Sequence, residues 1–369
     1  MSAYAEVPIL ASDPDAYLRD QELLAGVRNG AWLDEQHFPS VRFAIPSLLP
    51  EGYTLLAGPP KAGKSWLVLN WCLAVAAGGV ALGAIAIAHP SRVLYLALED
   101  SDRRMQDRVR AILEGQPIPR MFEYATRCEP GAVLSTIAAQ LRIHPDTRLV
   151  VLDTLGRVLP PALAGESSYS RDYRIGAALK GIVDAHPGTA LLVVHHDRKA
   201  EAGDFVAAVS GTNGLAGAAD SVMVLSRDRH SSDGVLSVTG RDVRDAEYAI
   251  RLHDGRAWQL AGGSLADARK AAGLVRAQAR LGDGMQAVVR AVLDADDPVT
   301  ISQVSAATGM EARKATVYLH RAVEAGHLDK LKRGLFAAPS TPVISVGMLY
   351  SDTDDYNNTT QITQVEVDR

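Results

Sequence analysis

Cysteine is nearly missing: Cys72 and Cys128 are the only two in 369 residues, and they lack metal-ligand spacing. That excludes a disulfide framework and a zinc module, and makes a reducing cytoplasm the expected compartment. No sign of charge dominates either, with a formal net charge of −5. A surface uniformly coated for nucleic acid is excluded, while a local basic channel stays open, because binding responds to the local field. The first twenty residues carry Glu6, Asp13 and Asp15 and have no basic stretch leading into an apolar core, so they do not read as a signal peptide. One long uncharged run does occur, Trp66 to Ala88, long enough to cross a bilayer. Gly78, Gly79 and Gly83 interrupt it, so it reads as a buried helix followed by a loop, and no membrane association is expected. A hydrophobic content of 47% excludes a mainly disordered chain and suffices for one large core plus a smaller domain.

What is present begins with Gly58-Pro59-Pro60-Lys61-Ala62-Gly63-Lys64-Ser65, the G-x-x-x-x-G-K-S pattern of a P-loop. An apolar run, Tyr53 to Ala57, precedes it as a strand, and Trp66 to Ala77 follows as a helix. The spacing serves a phosphate tail: backbone N–H groups surround it at a helix N-terminus, and side chains at the two glycines would block the approach. Lys64 supplies a point charge to the β and γ phosphates and the Ser65 hydroxyl a ligand for Mg²⁺. ATP with Mg²⁺ is the expected ligand, held by residues 58 to 66.

Residues 1–39 read as a polar, weakly helical lead-in without chemistry. Within 40–262, further strands are expected at Arg92 to Leu98, Phe122 to Arg127, Leu149 to Thr154 and Ala190 to Val194. Helices are expected at Asp102 to Leu113, with Arg103, Arg104, Arg108 and Arg110 on an exposed basic side, at Gly131 to Ile143 and at Arg171 to Ala185. Strands alternating with helices make an α/β fold with a mainly parallel sheet, in which ligands bind beyond the strands' C-terminal ends. Ser221 to Leu225, Gly234 to Thr239 and Tyr248 to Leu252 read as antiparallel strands extending that sheet. Residues 263–283 read as a linker helix started by Ser264 and Asp267. Residues 284–338 read as a winged helix-turn-helix: helices at Met285 to Leu293, Ile301 to Thr308 and Glu311 to Ala325, a turn at Gly309, and a wing carrying Lys330, Lys332 and Arg333. Residues 339–369 read as a disordered acidic tail.

Three strand ends carry candidate chemistry. Glu99 can deprotonate the water attacking a γ-phosphate or simply cap the helix that follows. Asp153, closing four apolar residues, has the Walker B pattern of an acid that holds Mg²⁺. His195 and His196 can sense phosphate or be ordinary polar strand ends; zinc lacks further ligands at the right spacing. Arg241 and Arg244 are arginine-finger candidates for a neighbouring subunit's nucleotide, against a plain surface hairpin. The loops Arg157 to Ser170 and Arg198 to Asn213 are too long for connectors and can line a channel for single-stranded DNA, Arg198 and Lys199 adding charge, although no aromatic platform is evident. Arg313, Lys314 and Arg321 can carry the third C-terminal helix into a duplex DNA groove.

Five ordered segments, 55–66, 93–100, 150–155, 193–199 and 211–220, together resemble the RepA-like branch of the RecA/DnaB hexameric ATPases, which act in plasmids, phages and integrated elements. The resemblance implies a RecA-like P-loop core, an ATPase of the replicative helicase type and a homo-oligomer, a hexamer, on single-stranded DNA. Glu99 would be the catalytic glutamate, Asp153 the Walker B acid, His196 the phosphate-linked histidine with His195 its competitor, and Arg241 the arginine acting in trans. The C-terminal module departs from compact plasmid helicases and keeps a regulator or helicase-loading adaptor open as the alternative. A recombinase fits less well, for want of a separate polymerisation domain.

Overall fold

A computed structural model describes residues 14–129, 131–157, 163, 165–195, 214–227, 231–279, 283–295 and 297–337. His196, Arg198, Lys199, most of the two long loops and the 339–369 tail therefore lie outside the described residues. The chain divides into two compact units, Met1–Ser40 and Val41–Arg369. The first holds helices α1 (Pro14–Leu24) and α2 (Gly30–Asp34), the latter started by Asn29, whose side chain accepts from the Trp32 N–H at 2.8 Å.

The second unit is organised by the short pair β1 (Phe43–Ile45) and β2 (Leu49–Pro50), then β3 (Gly52–Ala57), which leads into the P-loop and α3 (Lys64–Ala77). The uncharged run is accounted for here. Leu67, Trp71, Cys72 and Val75 of α3 are fully buried, Gly78 ends the helix at φ 63°, and the hairpin β4 (Val80–Ala81) and β5 (Ile85–Ala86) follows. Among the described residues no helix is long and apolar enough to cross a membrane.

Then come β6 (Arg92–Ala97), α4 (Asp102–Leu113), β7 (Phe122–Ala125), α5 (Val133–Ile143), β8 (Thr147–Asp153), α6 (Ser168–Asp184), β9 (Ala190–Val194) and the short α7 (Gly214–Ala218). The next strands are β10 (Ser221–Arg227), β11 (Asp233–Gly240), β12 (Ala246–His253) and β13 (Ala257–Leu260). Nine of these strands form one sheet in the order β13-β12-β11-β10-β3-β9-β8-β6-β7. From β10 to β7 all neighbours are parallel, whereas β10 to β13 are joined antiparallel. The P-loop strand lies inside the parallel part, between β9 and β10. Burial on both faces explains the unbroken apolar runs of β3, β8 and β9: Leu55, Leu56, Val151, Leu152, Leu192 and Val193 are inaccessible. Helices α3 and α4 pack on one face, α5 and α6 on the other.

Two expectations are corrected. Ser221–Arg227 is parallel to β3, with Ser221 beside Thr54 and Val224 beside Ala57; only β11 onward is antiparallel. The reason is connection length, since the long return from β9 delivers β10 to the starting end of the sheet, while short connections reverse the later strands. A fourth strand, β13, was missed. Its hairpin is made by Asp254 and Gly255, both at positive φ (49° and 70°), the turn chemistry that an Asp-Gly pair supplies.

Helix α8 (Leu265–Ala279) is more than a linker. Ala268 is buried in the main core, Ala271 and Ala272 pack with Ala249 of β12, and Arg276 pairs with Glu247. Ser264 Oγ accepts from the Asp267 N–H at 3.1 Å and starts the helix.

Residues 283–337 build α9 (Asp283–Leu293), α10 (Ile301–Thr308) and α11 (Ala312–Glu324) beside a three-stranded sheet of β14 (Val299–Thr300), β16 (Leu335–Ala337) and β15 (Asp329–Lys332). They share their own cluster of Val288, Val292, Leu319, Leu328 and Phe336. Thr300 and Gln303 make a full capping box at the start of α10, and Gly309 ends it at φ 66°.

Candidate nucleotide-binding site

The P-loop follows β3 at the C-terminal edge of the parallel strands. Gly58 has to be glycine: a Cβ there would lie 2.4 Å from the Leu225 carbonyl oxygen of β10. Gly63, at φ 100°, begins α3 against the Trp258 ring, and Lys61 takes a positive φ of 68°. Lys64 is 3% exposed, and its Nζ donates to the carbonyls of Gly58 (2.6 Å) and Pro59 (2.9 Å). Burial lowers its pKa to about 8; Asp153, and then Glu99, act in the opposite direction. Both carboxylates are thus near enough to this ammonium to influence its charge.

The sheet register brings the acids together. Asp153 closes β8 opposite Ala97, the last residue of β6, and its carbonyl accepts the Leu98 N–H at 2.8 Å, tying down the segment that carries Glu99. Asp153 is 5% exposed, and its Oδ2 accepts from the Tyr95 hydroxyl at 2.8 Å. Burial, then the Asp153 charge, pushes the Tyr95 phenol well up, so it stays a donor. Thr154 Oγ1 donates to the Val194 carbonyl at 2.9 Å, and the His195 N–H to the Leu56 carbonyl at 2.9 Å, so His195 stands at the same edge.

Arg108 departs from the exposed basic face expected of α4. Its side chain is 12% exposed, donates Nη1 to Asp100 Oδ2 at 2.6 Å and lies over the Trp66 ring at 4.5 Å. Arg104 donates to the Glu99 carbonyl at 3.3 Å. The residues beside Glu99 are therefore gripped from α4 and from the first turn of α3.

Arg241 does not join this group. Gly240 pairs with Ser221, whose other neighbour is Thr54 near the start of β3, so Arg241 sits at the sheet end opposite the P-loop. Its guanidinium is 71% exposed and pairs with Asp220 at 3.4 Å; Arg244 is exposed nearby. Sequence reasoning missed Arg227 and Trp258, which contact the P-loop from outside. Their only signals were a charge ending an apolar strand and a tryptophan after an Asp-Gly turn.

Oxygen donors on Ser65 and Asp153 suit Mg²⁺, which uses one or two protein oxygens and takes its other ligands from phosphate and water. Among the described residues no group of three or more His, Cys, Asp or Glu side chains is placed to hold a metal.

Residues 22–202 match the family model of an AAA domain. This region is similar to AAA domains, and with its P-loop that likeness supports a P-loop ATPase domain. The match and the mostly parallel sheet together support the RecA-like P-loop ATPase superfamily. A crystal structure of the RadB recombinase is similar at 17% identity and a TM-score of 0.40, over 57% of this chain and 91% of that one. No curated protein matches.

Proposed function

We propose that the protein is an ATP-hydrolysing, ring-forming motor on single-stranded DNA, a RepA-like replicative helicase of a mobile element. The observation that carries the reading is the convergence of Lys64, Asp153 and the Glu99 segment at one sheet edge, directly beyond a glycine-dependent P-loop. Lys64 and the N-terminus of α3 hold the phosphates, and Ser65 and Asp153 hold Mg²⁺, which when bound supplies neutralising charge. Glu99 takes the proton of the attacking water, and Tyr95 keeps Asp153 oriented. His196 is assigned the phosphate-sensing role, with His195 the competitor.

The distance of Arg241 from its own chain's P-loop fits a site shared between subunits, in which Arg241 serves the neighbour's nucleotide. A homo-hexamer is the corresponding assembly. Steady-state ATP turnover with and without single-stranded DNA tests the motor. Stimulation by single strands together with strand unwinding is the expected result, and turnover indifferent to DNA counts against it.

A second reading is an ATP-switched duplex-binding regulator or helicase-loading adaptor. The arrangement of α9 to α11 and the small sheet favours it, since a winged helix is built this way and Arg313, Lys314 and Arg321 are exposed on α11. A footprint on one duplex sequence that needs residues 283–337, with slow turnover, distinguishes it from the motor.

A further inference from the structure

The P-loop is held by more than the strand and helix that flank it. Arg227, the last residue of β10, donates Nη2 to the Lys61 carbonyl at 2.9 Å and Nε to the Ala62 carbonyl at 3.0 Å. Its remaining nitrogen, Nη1, donates to the Ser231 carbonyl at 2.8 Å, just ahead of β11. Trp258, on edge strand β13, donates Nε1 to the Gly63 carbonyl at 3.1 Å. The guanidinium lies 6.0 Å from the centroid of that indole. Three consecutive P-loop carbonyls are thus taken by two side chains from strands outside the P-loop unit.

We propose that Arg227 and Trp258 are positioning residues, a clasp that sets the aim of the phosphate-binding loop. A trans peptide points its C=O and the following N–H in opposite directions. Fixing the Ala62 carbonyl toward the clasp turns the Gly63 N–H to the inner face, where a phosphate is received; the Gly63 carbonyl also accepts the Leu67 N–H at 3.0 Å as the first acceptor of α3, so Trp258 reinforces a direction for the Lys64 N–H that the helix already sets. The Ala62 N–H is engaged within the loop by the Pro59 carbonyl at 3.3 Å. Lys61 gives a second reason for an external hold, because φ 68° is a conformation a lysine rarely adopts unaided. The planar fork of arginine suits two adjacent carbonyls and a third across a turn, which a lysine ammonium serves less well. Trp258 adds a steric limit at position 63, where the ring would crowd a Cβ at 3.0 Å and φ 100° already disfavours any side chain. The clasp also makes the aim of the loop depend on the antiparallel strands.

This inference rests on the nucleotide reading of the P-loop, and the experiment separates the two. Mg-ADP affinity is measured by calorimetry, and ATP turnover in parallel, for the full chain and for Arg227→Ala, Arg227→Lys and Trp258→Phe. Thermal unfolding of each variant reports the folded fraction. A loop that is present but misaimed loses ground-state and transition-state binding together, so Kd and KM rise while kcat holds. Arg227→Ala and Trp258→Phe are expected to weaken Mg-ADP about tenfold, with kcat within about threefold of the parent. Arg227→Lys, which keeps the charge and loses the fork, is expected to recover only part of the affinity. Should Arg227→Ala fail to fold, Trp258→Phe and Arg227→Lys carry the test. Folded variants with the parent's affinity overturn the clasp and leave the nucleotide site standing, as does a fall in kcat at unchanged affinity. A parent chain that binds no nucleotide overturns both.

Discussion

The two ends of the parallel strands use the same residue types in opposite ways. At the starting end, charges are closed on one another. Asp220 takes Lys180 at 2.7 Å, Arg241 at 3.4 Å and the Tyr53 N–H at 3.0 Å, and Arg92 pairs with Glu123 and Asp146. At the finishing end, the Lys64 ammonium is buried against neutral carbonyls, and Asp153 is buried against a phenol. The Lys180–Asp220 pair and the Tyr53 N–H bond tie α6 to β3 and to the residue before β10, while Arg241, 71% exposed at 3.4 Å, is the loosest member of the group. A buried cation that donates to two carbonyls and feels Asp153 and Glu99 only through space is incompletely compensated: burial outweighs the two carboxylates, and its pKa falls to about 8. The starting end thus holds the fold together, and the finishing end is prepared for a ligand that carries negative charge.

Removing the central charge at each end breaks this comparison most directly. Lys64→Ala is expected to lower ATP turnover by a factor of about 10³ while thermal unfolding stays close to the parent's, because the lysine stabilises developing charge and holds no strand. Turnover within tenfold of the parent refutes the assignment. Glu99→Gln keeps the shape and removes the proposed base. Turnover is expected to fall by about 10² to 10³ with Mg-ADP affinity unchanged, the opposite kinetic pattern to a misaimed loop. At the starting end, Asp220→Ala leaves Lys180 and the Tyr53 N–H without their carboxylate. A loss of about 2 kcal/mol in chemical denaturation is expected, with ATP affinity per folded molecule unchanged. A lowered affinity there would mean that the two ends are coupled.

Much of this contrast was legible in the sequence, and what was lost was lost for definable reasons. The G-x-x-x-x-G-K-S spacing and the apolar runs closing on Glu99 and Asp153 located the finishing end, because a strand buried on both faces writes itself as an unbroken run. Helix Asp102–Leu113 matches its expected bounds, helped by Ser101, whose hydroxyl accepts from the Arg104 N–H at 3.4 Å. The direction of β10 was not legible, since a strand's direction depends on the path of the connection before it. Arg108 was read as solvated because helical spacing shows which face a residue occupies and says nothing of what covers that face; here Trp66 and Asp100 do. Arg227 and Trp258 escaped notice for a similar reason. They lie 166 and 195 residues along the chain from the carbonyls of Lys61 and Gly63 that they hold, so only the folded sheet brings them together.

The smallest expected effect comes from pH, and its sign follows from Lys64. In the protein without ligand the ammonium titrates at about 8, below its ordinary value of 10.5, because burial disfavours the charge more than Asp153 and Glu99 favour it. A bound phosphate supplies negative charge and raises that pKa, so binding takes up a proton wherever the unliganded protein has lost one. Below about pH 7 Lys64 is charged with or without ligand and contributes no pH dependence. By pH 8.5 roughly three quarters of the unliganded molecules are neutral at this position, and Mg-ADP affinity is expected to be about fourfold weaker than at pH 7. Calorimetry at pH 8.5 in two buffers of different ionisation heat is expected to show proton uptake, and Lys64→Arg, which stays charged throughout, is expected to lose both the slope and the uptake. An affinity that is flat to pH 9 in the parent chain would mean that Lys64 is charged without its ligand. The finishing end would then be compensated as fully as the starting end.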